Sequence, residues 1–301
     1  MSAASCRLDW ETEGHSWPYR QHSQFVTSGR LTWHLQFHGP ADAPLILLLH
    51  GTGASGHSWQ RLVPLLAERY RLMIPDLPGH GFTTARGRTD LSLDGMAMAL
   101  RALLDQLGLV PDTVIGHSAG GPIAIVLSGM LDPPPRRVIG INGAYLPIRG
   151  NRIFSPLAKA LFANPLSAAA FALLTRATPL AGNLLASTGS RINRESSDIY
   201  RRLMRMPGHV QGALGMMAAW DLGTLDDRMR KLDMPLILIA ARDDPMVPDN
   251  NSRHVAKLTP HARLILTGHG GHLLHESEPA QVCGWIEQAM AEPAPNPEAG
   301  P

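Results

Sequence analysis

The run Leu45-Ile46-Leu47-Leu48-Leu49, followed at once by His50-Gly51-Thr52-Gly53-Ala54-Ser55-Gly56, constrains this chain more than any other stretch. Five apolar residues without polar alternation leave no face for water, so the run belongs to a strand covered on both sides. Similar runs recur at 71–75, 113–115, 137–141, 235–240 and 262–266. Helical patterns at 58–69, 92–107 and 120–130 separate the earlier ones, and an amphipathic helix over 279–290 closes the series. This alternation predicts an α/β chain with a parallel sheet and helices on both faces. Ahead of it, 24–27 and 31–37, joined by Ser28-Gly29-Arg30, predict a β-hairpin.

Between Gly143 and Arg228 strand patterns vanish, and Ala/Leu/Met-rich helical segments are broken by Pro156, Pro165, Pro179 and Pro207. A helical insertion between two strands of one sheet is the natural place for a lid. The expected division is a core of residues 1–142 and 229–290, a lid of residues 143–228, and a disordered Pro/Ala/Glu-rich tail over 291–301. The 301 residues suit one large domain carrying such an insertion. A formal net charge of +2 asks for no nucleic-acid partner. Cys6 and Cys283 stand nearly the whole chain apart and form no metal or redox pair, which suits a reducing cytoplasm. Acidic residues near the start replace the apolar core of a signal peptide, and no apolar run approaches the ~20 residues of a membrane span.

Gly51-Thr52-Gly53-Ala54-Ser55-Gly56 also fits the G-x-G-x-x-G of dinucleotide-binding folds, with Asp76 twenty residues past Gly56 where a ribose-binding acid would stand. Against that reading, the strand before the loop follows a hairpin instead of opening the fold, and no tyrosine has a lysine four residues on. Asp76 is expected to pin the turn after its own strand.

A second glycine motif carries more chemistry. Gly116-His117-Ser118-Ala119-Gly120 is a G-x-S-x-G placed between a strand and a helix, where small flanks let a strained turn lift the serine hydroxyl above the sheet edge. A serine needs a base, and the base an orienting carboxylate. Asp244 and His272 follow in the order Ser, acid, His, each just beyond a predicted strand. Asp243 competes with Asp244, and the position before Val247-Pro248 favours Asp244. His269, His272 and His275 are spaced three apart, yet no acid or cysteine at ligand spacing accompanies them, so no metal is expected. His117 is read as a packing or hydrogen-bonding residue. The negative oxygen of an acyl-transfer intermediate needs two backbone NH donors, here assigned to Ala119 and to Thr52 of the loop His50-Gly51-Thr52-Gly53. This chemistry requires no cofactor, and its substrate would be a small-molecule carboxylic ester.

These residues resemble the α/β-hydrolase superfamily over nearly the whole chain. More narrowly, SWPYRQHSQFV, LLLHGTGASGHSW, PDLPGHGFT, GHSAGGPIA, INGAYLP, STGSRI, YRRLMRMPGHVQGALGMMAAWDL and HLLHESEP are similar, in order, to the BchO family, the magnesium-chelatase accessory proteins of bacteriochlorophyll biosynthesis. The resemblance implies the α/β-hydrolase fold, a mostly parallel central sheet with helices on both faces and a helical lid. It implies Ser118, Asp244 and His272 as catalytic triad and the Thr52 loop as oxyanion site. It also implies a role beside magnesium insertion, a tetrapyrrole ester as substrate and magnesium-chelatase subunits as partners. Gly121-Pro122 departs from the Ala-rich helix start expected after the serine, which a first helical turn tolerates.

Residues 143–228 carry ten Lys/Arg against five Asp/Glu, with Phe154, Phe162, Phe171, Met204, Met206, Met216, Met217 and Trp220. Such residues could pack a flat macrocycle while Arg201, Arg202 or Arg205 meets its propionates. The plainer alternative is a lid core with a solvated arginine face. The basic stretch from Phe154 to Leu185 is a candidate for peripheral contact with an anionic membrane, although its prolines break a continuous surface helix.

Overall fold

The protein is described by a computed structural model covering residues 8–147, 164–259 and 261–292. Nine strands form one sheet: β1 (Ser23–Ser28), β2 (Leu31–His38), β3 (Leu45–Leu49), β4 (Arg71–Pro75), β5 (Thr84–Ala85), β6 (Thr113–His117), β7 (Arg137–Ile141), β8 (Leu236–Ala241) and β9 (Ala262–Thr267). Their order is β1-β2-β4-β3-β6-β7-β8-β9, with β5 paired to β2. The β1–β2 hairpin joins β4 antiparallel, and every pair from β4 to β9 is parallel. From β3 the chain turns one way to β4 and then the other way to β6. The carboxyl ends of β3 and β6 therefore flank a switch point, where open parallel sheets leave a crevice.

Alternate residues of the buried strands feed two separate cores. Leu45, Leu47, Leu49, Val114, Val138, Leu236 and Leu238 face helices α1 (Leu93–Leu107) and α2 (Gly120–Ser128). Ile46, Leu48, Ile115, Ile139, Ile237 and Ile239 face Trp59, Leu62, Leu66 and the closing helix. Each large apolar side chain fully buried this way contributes about 1.5–3 kcal/mol before entropy is counted. The faces diverge at every second residue, so a one-residue slip of any central strand would exchange its two cores.

Between β7 and β8 run α3 (Pro165–Ala177), α4 (Leu180–Ala186), α5 (Arg194–Met204) and α6 (Pro207–Ala219), then α7 (Leu225–Arg230). α7 straddles the expected boundary at residue 228. Its Leu225 and Met229 are buried in the core, its Asp226 accepts from His254 Nε2 at 3.1 Å, and Arg228 pairs with Asp94. α7 thus packs as part of the core. Helices α8 (Asn250–Leu258) and α9 (Pro279–Ala291) complete the chain, so ordered helix runs one residue past the expected tail start; Phe154, Phe162 and residues 293–301 lie outside the described residues.

The helix expected over 58–69 is instead a 3-10 turn at Gly56–Trp59 and a four-residue helix at Val63–Leu66. Pro64 explains the break, since its ring would collide with the carbonyl of Gln60 inside a continuous helix but fits a first turn. Strand β6 extends two residues beyond the apolar triplet, carrying Gly116 and His117 to the sheet edge. Among the described residues no helix is long and apolar enough to cross a membrane.

Candidate active site

Ser118 stands at the carboxyl end of β6 with φ +51°, in the left-handed region that costs an L residue about 1–2 kcal/mol. Backbone contacts hold it there: its NH donates to Ile141 O at 3.0 Å, and its carbonyl accepts from Gly121 N and Ala144 N, each at 3.1 Å. The flanking glycines are required by space. A Cβ on Gly116 would lie 2.1 Å from Gly120 O, and one on Gly120 would lie 2.2 Å from Leu49 O. The turn is therefore wedged between β3 and the start of α2, leaving the serine side chain to project upward.

Ser118 Oγ donates to His272 Nε2 at 3.1 Å, and His272 Nδ1 donates to Asp244 Oδ2 at 2.8 Å. The Asp244 side chain is buried, and its other oxygen accepts from the backbone NH groups of Met246 (2.8 Å) and Val247 (2.9 Å). Asp243 serves differently, accepting from Gly271 N at 2.9 Å and so bracing the histidine loop. The two adjacent aspartates thus have separate partners, and it is Asp244, favoured by its position before Val247-Pro248, that meets His272. Of the three spaced histidines only His272 joins this chain of hydrogen bonds; His275 stacks on His117 and Trp59, and His269 lies 3.8 Å from Glu278 Oε1.

His117 Nε2 donates to the His272 carbonyl at 2.8 Å, as its hydrogen-bonding reading requires. Burial, reinforced by His275 and His272, lowers its pKa far below the usual imidazole value, which keeps it neutral. Asn142, which sequence reasoning passed over, does more. Its Nδ2 donates to the carbonyls of Gly271 and His272, both at 2.9 Å, while its Oδ1 accepts from Ala241 N at 2.9 Å. One buried amide at φ +45° thereby ties the ends of β7 and β8 to the base loop. A polar residue directly after the apolar run of β7 was the available signal.

The glycine loop after β3 closes a four-residue turn, with Ala54 N donating to Gly51 O at 3.2 Å. Gly53, third in that turn, has φ +76°, which a type II turn reserves for glycine. His50 is fully buried beneath: its Nε2 accepts from Leu77 N at 2.9 Å, so its proton sits on Nδ1 and is donated to Gly51 O at 2.8 Å. Gly51 itself packs over the serine, with room for a Cβ only 2.9 Å from Ser118 Cβ. Among the described residues no hydrogen bond uses the backbone NH of Thr52 or Ala119.

Asp76 does pin the turn after its strand. Its oxygens accept from Gly56 N (2.7 Å), Phe82 N (2.8 Å) and His34 Nδ1 (2.8 Å). Burial alone would raise its pKa, but His34, His50 and the Gly56 amide outweigh burial and hold the carboxyl well below its ordinary range. The acid twenty residues past Gly56 therefore binds the third glycine of G-x-G-x-x-G from inside the core, where no ribose can reach.

The helical segment between β7 and β8 touches both loops of this site. Thr188 O accepts from His272 N at 2.8 Å, and Ser190 Oγ accepts from Leu273 N while donating to Gly270 O, both at 2.7 Å. Gly189 and Gly271 pass at backbone distance, since a Cβ on Gly271 would lie 2.5 Å from the Gly189 carbonyl carbon. On the other side, His209 of α6 donates from Nε2 to Gly53 O and accepts at Nδ1 from Gly81 N, both at 3.1 Å. Arg201 pairs with Asp198, and Arg202 with Glu13 and the Ser16 hydroxyl, so both arginines are engaged away from Ser118. Arg205 offers its carbonyl to Arg176.

Behind the loop of His272 lies a buried polar cluster. Tyr200 of α5 donates to Glu276 Oε1 at 2.7 Å and packs edge-on against His57, while Gln60 donates to Ser196 Oγ at 2.6 Å. Burial pushes the Glu276 carboxyl up to about 8, against the opposing pull of the Tyr200 and Ser196 hydroxyls, so it keeps its proton at neutral pH. Burial likewise takes His57 and His275 down to about 3.

This fold and edge-of-sheet constellation define a class. The family described as the α/β hydrolase fold matches residues 44–279, and the chain belongs to it. Within it, the chain is 40% identical over 273 residues to the "Magnesium-chelatase 30 kDa subunit" of Rhodobacter capsulatus, covering 90% of this chain and 95% of that one. A hydrolase from Pseudomonas aeruginosa PA01 has the same fold at TM-score 0.72, with 20% identity over 90% of this chain and 98% of that one. The enol-lactonase of Burkholderia xenovorans LB400 does so at TM-score 0.71, with 18% identity over 89% of this chain and all of the other.

Proposed function

We propose that the protein is a serine hydrolase that cleaves a carboxylic ester at Ser118, working in or beside the magnesium-insertion steps of bacteriochlorophyll synthesis. The observation that carries the hydrolase reading is the continuous hydrogen-bonded chain from Ser118 Oγ through His272 to the buried Asp244. His272 Nε2 takes the serine proton as Oγ attacks the ester carbon, and Asp244 stabilises the imidazolium and fixes its tautomer. The NH groups of Thr52 and Ala119 receive the developing oxyanion. His272 returns the proton to the leaving alcohol, then activates water to release the acyl group from Ser118.

The placement beside magnesium insertion rests on the 40% identity to a protein named as a chelatase subunit. The helical segment between β7 and β8 acts as the lid, and a tetrapyrrole ester is the substrate class that the resemblance to the magnesium-chelatase accessory proteins implies. Contact with magnesium-chelatase subunits and peripheral attachment to the photosynthetic membrane belong to the same proposal. The relative's name, a chelatase subunit, also favours a second reading, a non-catalytic chelatase helper or tetrapyrrole carrier that keeps its triad idle. Wild type and Ser118→Ala compared on simple esters and tetrapyrrole methyl esters decide between them. Hydrolysis lost in the variant sustains the enzyme; a Ser118→Ala strain that still makes pigment at the wild-type rate favours the helper.

A further inference from the structure

We propose that His209, a lid residue on α6, is the positioning residue of the oxyanion loop, so that seating the lid and readying the oxyanion site are one event. The proposal rests on the serine-hydrolase reading above.

The Thr52 amide is the second residue of the turn closed by Gly51 O and Ala54 N. Because the peptide unit is planar and trans, its NH points opposite to the Gly51 carbonyl. His50 holds that carbonyl from the core side. The far end of the turn, Gly53 O, is held from the lid by His209 Nε2. With Nδ1 of the same ring accepting from Gly81 N, both imidazole nitrogens are spent on the backbones of two separate core loops. Only the neutral ring with its proton on Nε2 can do this, and burial keeps His209 neutral above about pH 4.

The rest of α6 makes the contact stiff. Gly212, three residues on, lies so close to Gly79 that a Cβ would stand 1.8 Å from Gly79 O. Met216, four further, accepts from Thr52 Oγ1 at 3.4 Å. His209, Gly212 and Met216 share one helix face, so α6 meets the loop at successive turns. Raising α6 would strip Gly53 O and Gly81 N of their partner together and leave the turn held only at its Gly51 end.

The test compares wild type, Ser118→Ala, His209→Gln and His209→Phe on p-nitrophenyl acetate, with amide hydrogen exchange of the 50–56 segment alongside. An amide can donate and accept as this imidazole does; a phenyl ring can do neither. His209→Phe should lower kcat about 10- to 100-fold with KM within about twofold, less than the loss of an oxyanion donor outright. His209→Gln should recover kcat to within about fivefold, a rescue that loss of packing would not give. Should His209→Phe not fold, His209→Leu takes its place. A phenylalanine variant with wild-type kcat, or a glutamine variant no better than it, overturns the proposal. If wild type shows no Ser118-dependent hydrolysis, the hydrolase reading fails by itself and exchange decides the positioning claim. Faster exchange confined to 50–56 in His209→Phe sustains it, and unchanged exchange overturns it.

Discussion

At the carboxyl edge of the sheet, Ser118, Asp244 and His272 each follow a strand within a few residues, and the paired register of β6, β7, β8 and β9 sets their spacing. At the seam under the helical segment between β7 and β8, His209, Thr188 and Ser190 come from helices and turns with no ladder to align them. There, position is set by backbone-to-backbone approach at glycines: Gly212 on Gly79, and Gly189 on Gly271. The edge is therefore rigid because the sheet is rigid. The seam is ordered only while two separately folded surfaces stay pressed together, which makes it the part of the site that can open.

Breaking the edge should cost most. Ser118→Ala or His272→Gln is expected to lower ester hydrolysis about 10⁴- to 10⁶-fold, and Asp244→Asn about 10⁴-fold, in steady-state assays. The neighbouring Asp243→Asn should stay within about threefold, because asparagine still offers Gly271 N an acceptor. A reversed order of the two aspartate variants would move the acid to Asp243.

Matched glycine substitutions separate the two regions by stability. Gly120→Ala puts a methyl against Leu49 O between two buried elements that cannot part, and should cost about 3–5 kcal/mol in urea unfolding. Gly212→Ala makes an even closer clash with Gly79 O, yet α6 can shift outward. It should cost only about 1–2 kcal/mol while reducing kcat through the displaced oxyanion loop.

Buried titratable groups give stability a pH signature. Burial lowers His57 and His275 to about 3, and His38 and His209 to about 4, below the ordinary imidazole value of 6.5. From pH 6.5 down towards 4 the unfolded chain binds the protons, so stability falls as pH falls, by up to about 1.4 kcal/mol per unit for each histidine. Glu276 acts in the opposite sense. Its raised pKa contributes fully below about 4.5, and that contribution is lost as pH rises towards about 8. Urea midpoints should therefore peak near pH 6.5, and Glu276→Gln should flatten the alkaline fall and steepen the acid limb between about pH 4.5 and 6.5. Ser190→Ala, which leaves Leu273 N without its acceptor and Gly270 O with Ser277 Oγ as its remaining donor, should cost about 1–2 kcal/mol and lower kcat several-fold.

The edge was legible in the sequence because each of its parts is local. A buried strand announces itself by an apolar run, the turn of Ser118 by its flanking glycines, and Asp244 and His272, hydrogen-bonded in one chain with it, by falling just after further runs. The false nucleotide signal was also resolvable, since Asp76 had a turn of its own to hold. The break at Pro64 was there to read as a proline inside the helix expected over 58–69. Asp244 was favoured over Asp243 by its position before Val247-Pro248, whereas the separate task of Asp243, holding Gly271 N, showed only in three dimensions. The seam was illegible for a physical reason: His209 and Ser190 act on backbone groups 156 and 80 residues away, and neither a helix period nor a turn motif encodes that distance. Arg201 and Arg202, weighed as propionate contacts against the plainer solvated face, are engaged in ion pairs with Asp198 and Glu13.

The central claim is that Ser118 is an activated nucleophile, and fluorophosphonate labelling read by intact mass tests it most directly. Wild type should gain one adduct, located on Ser118, while Ser118→Ala gains none and His272→Gln reacts at least about 100-fold more slowly. Wild type that stays unlabelled while folded, or that labels as fast without His272, would contradict the account.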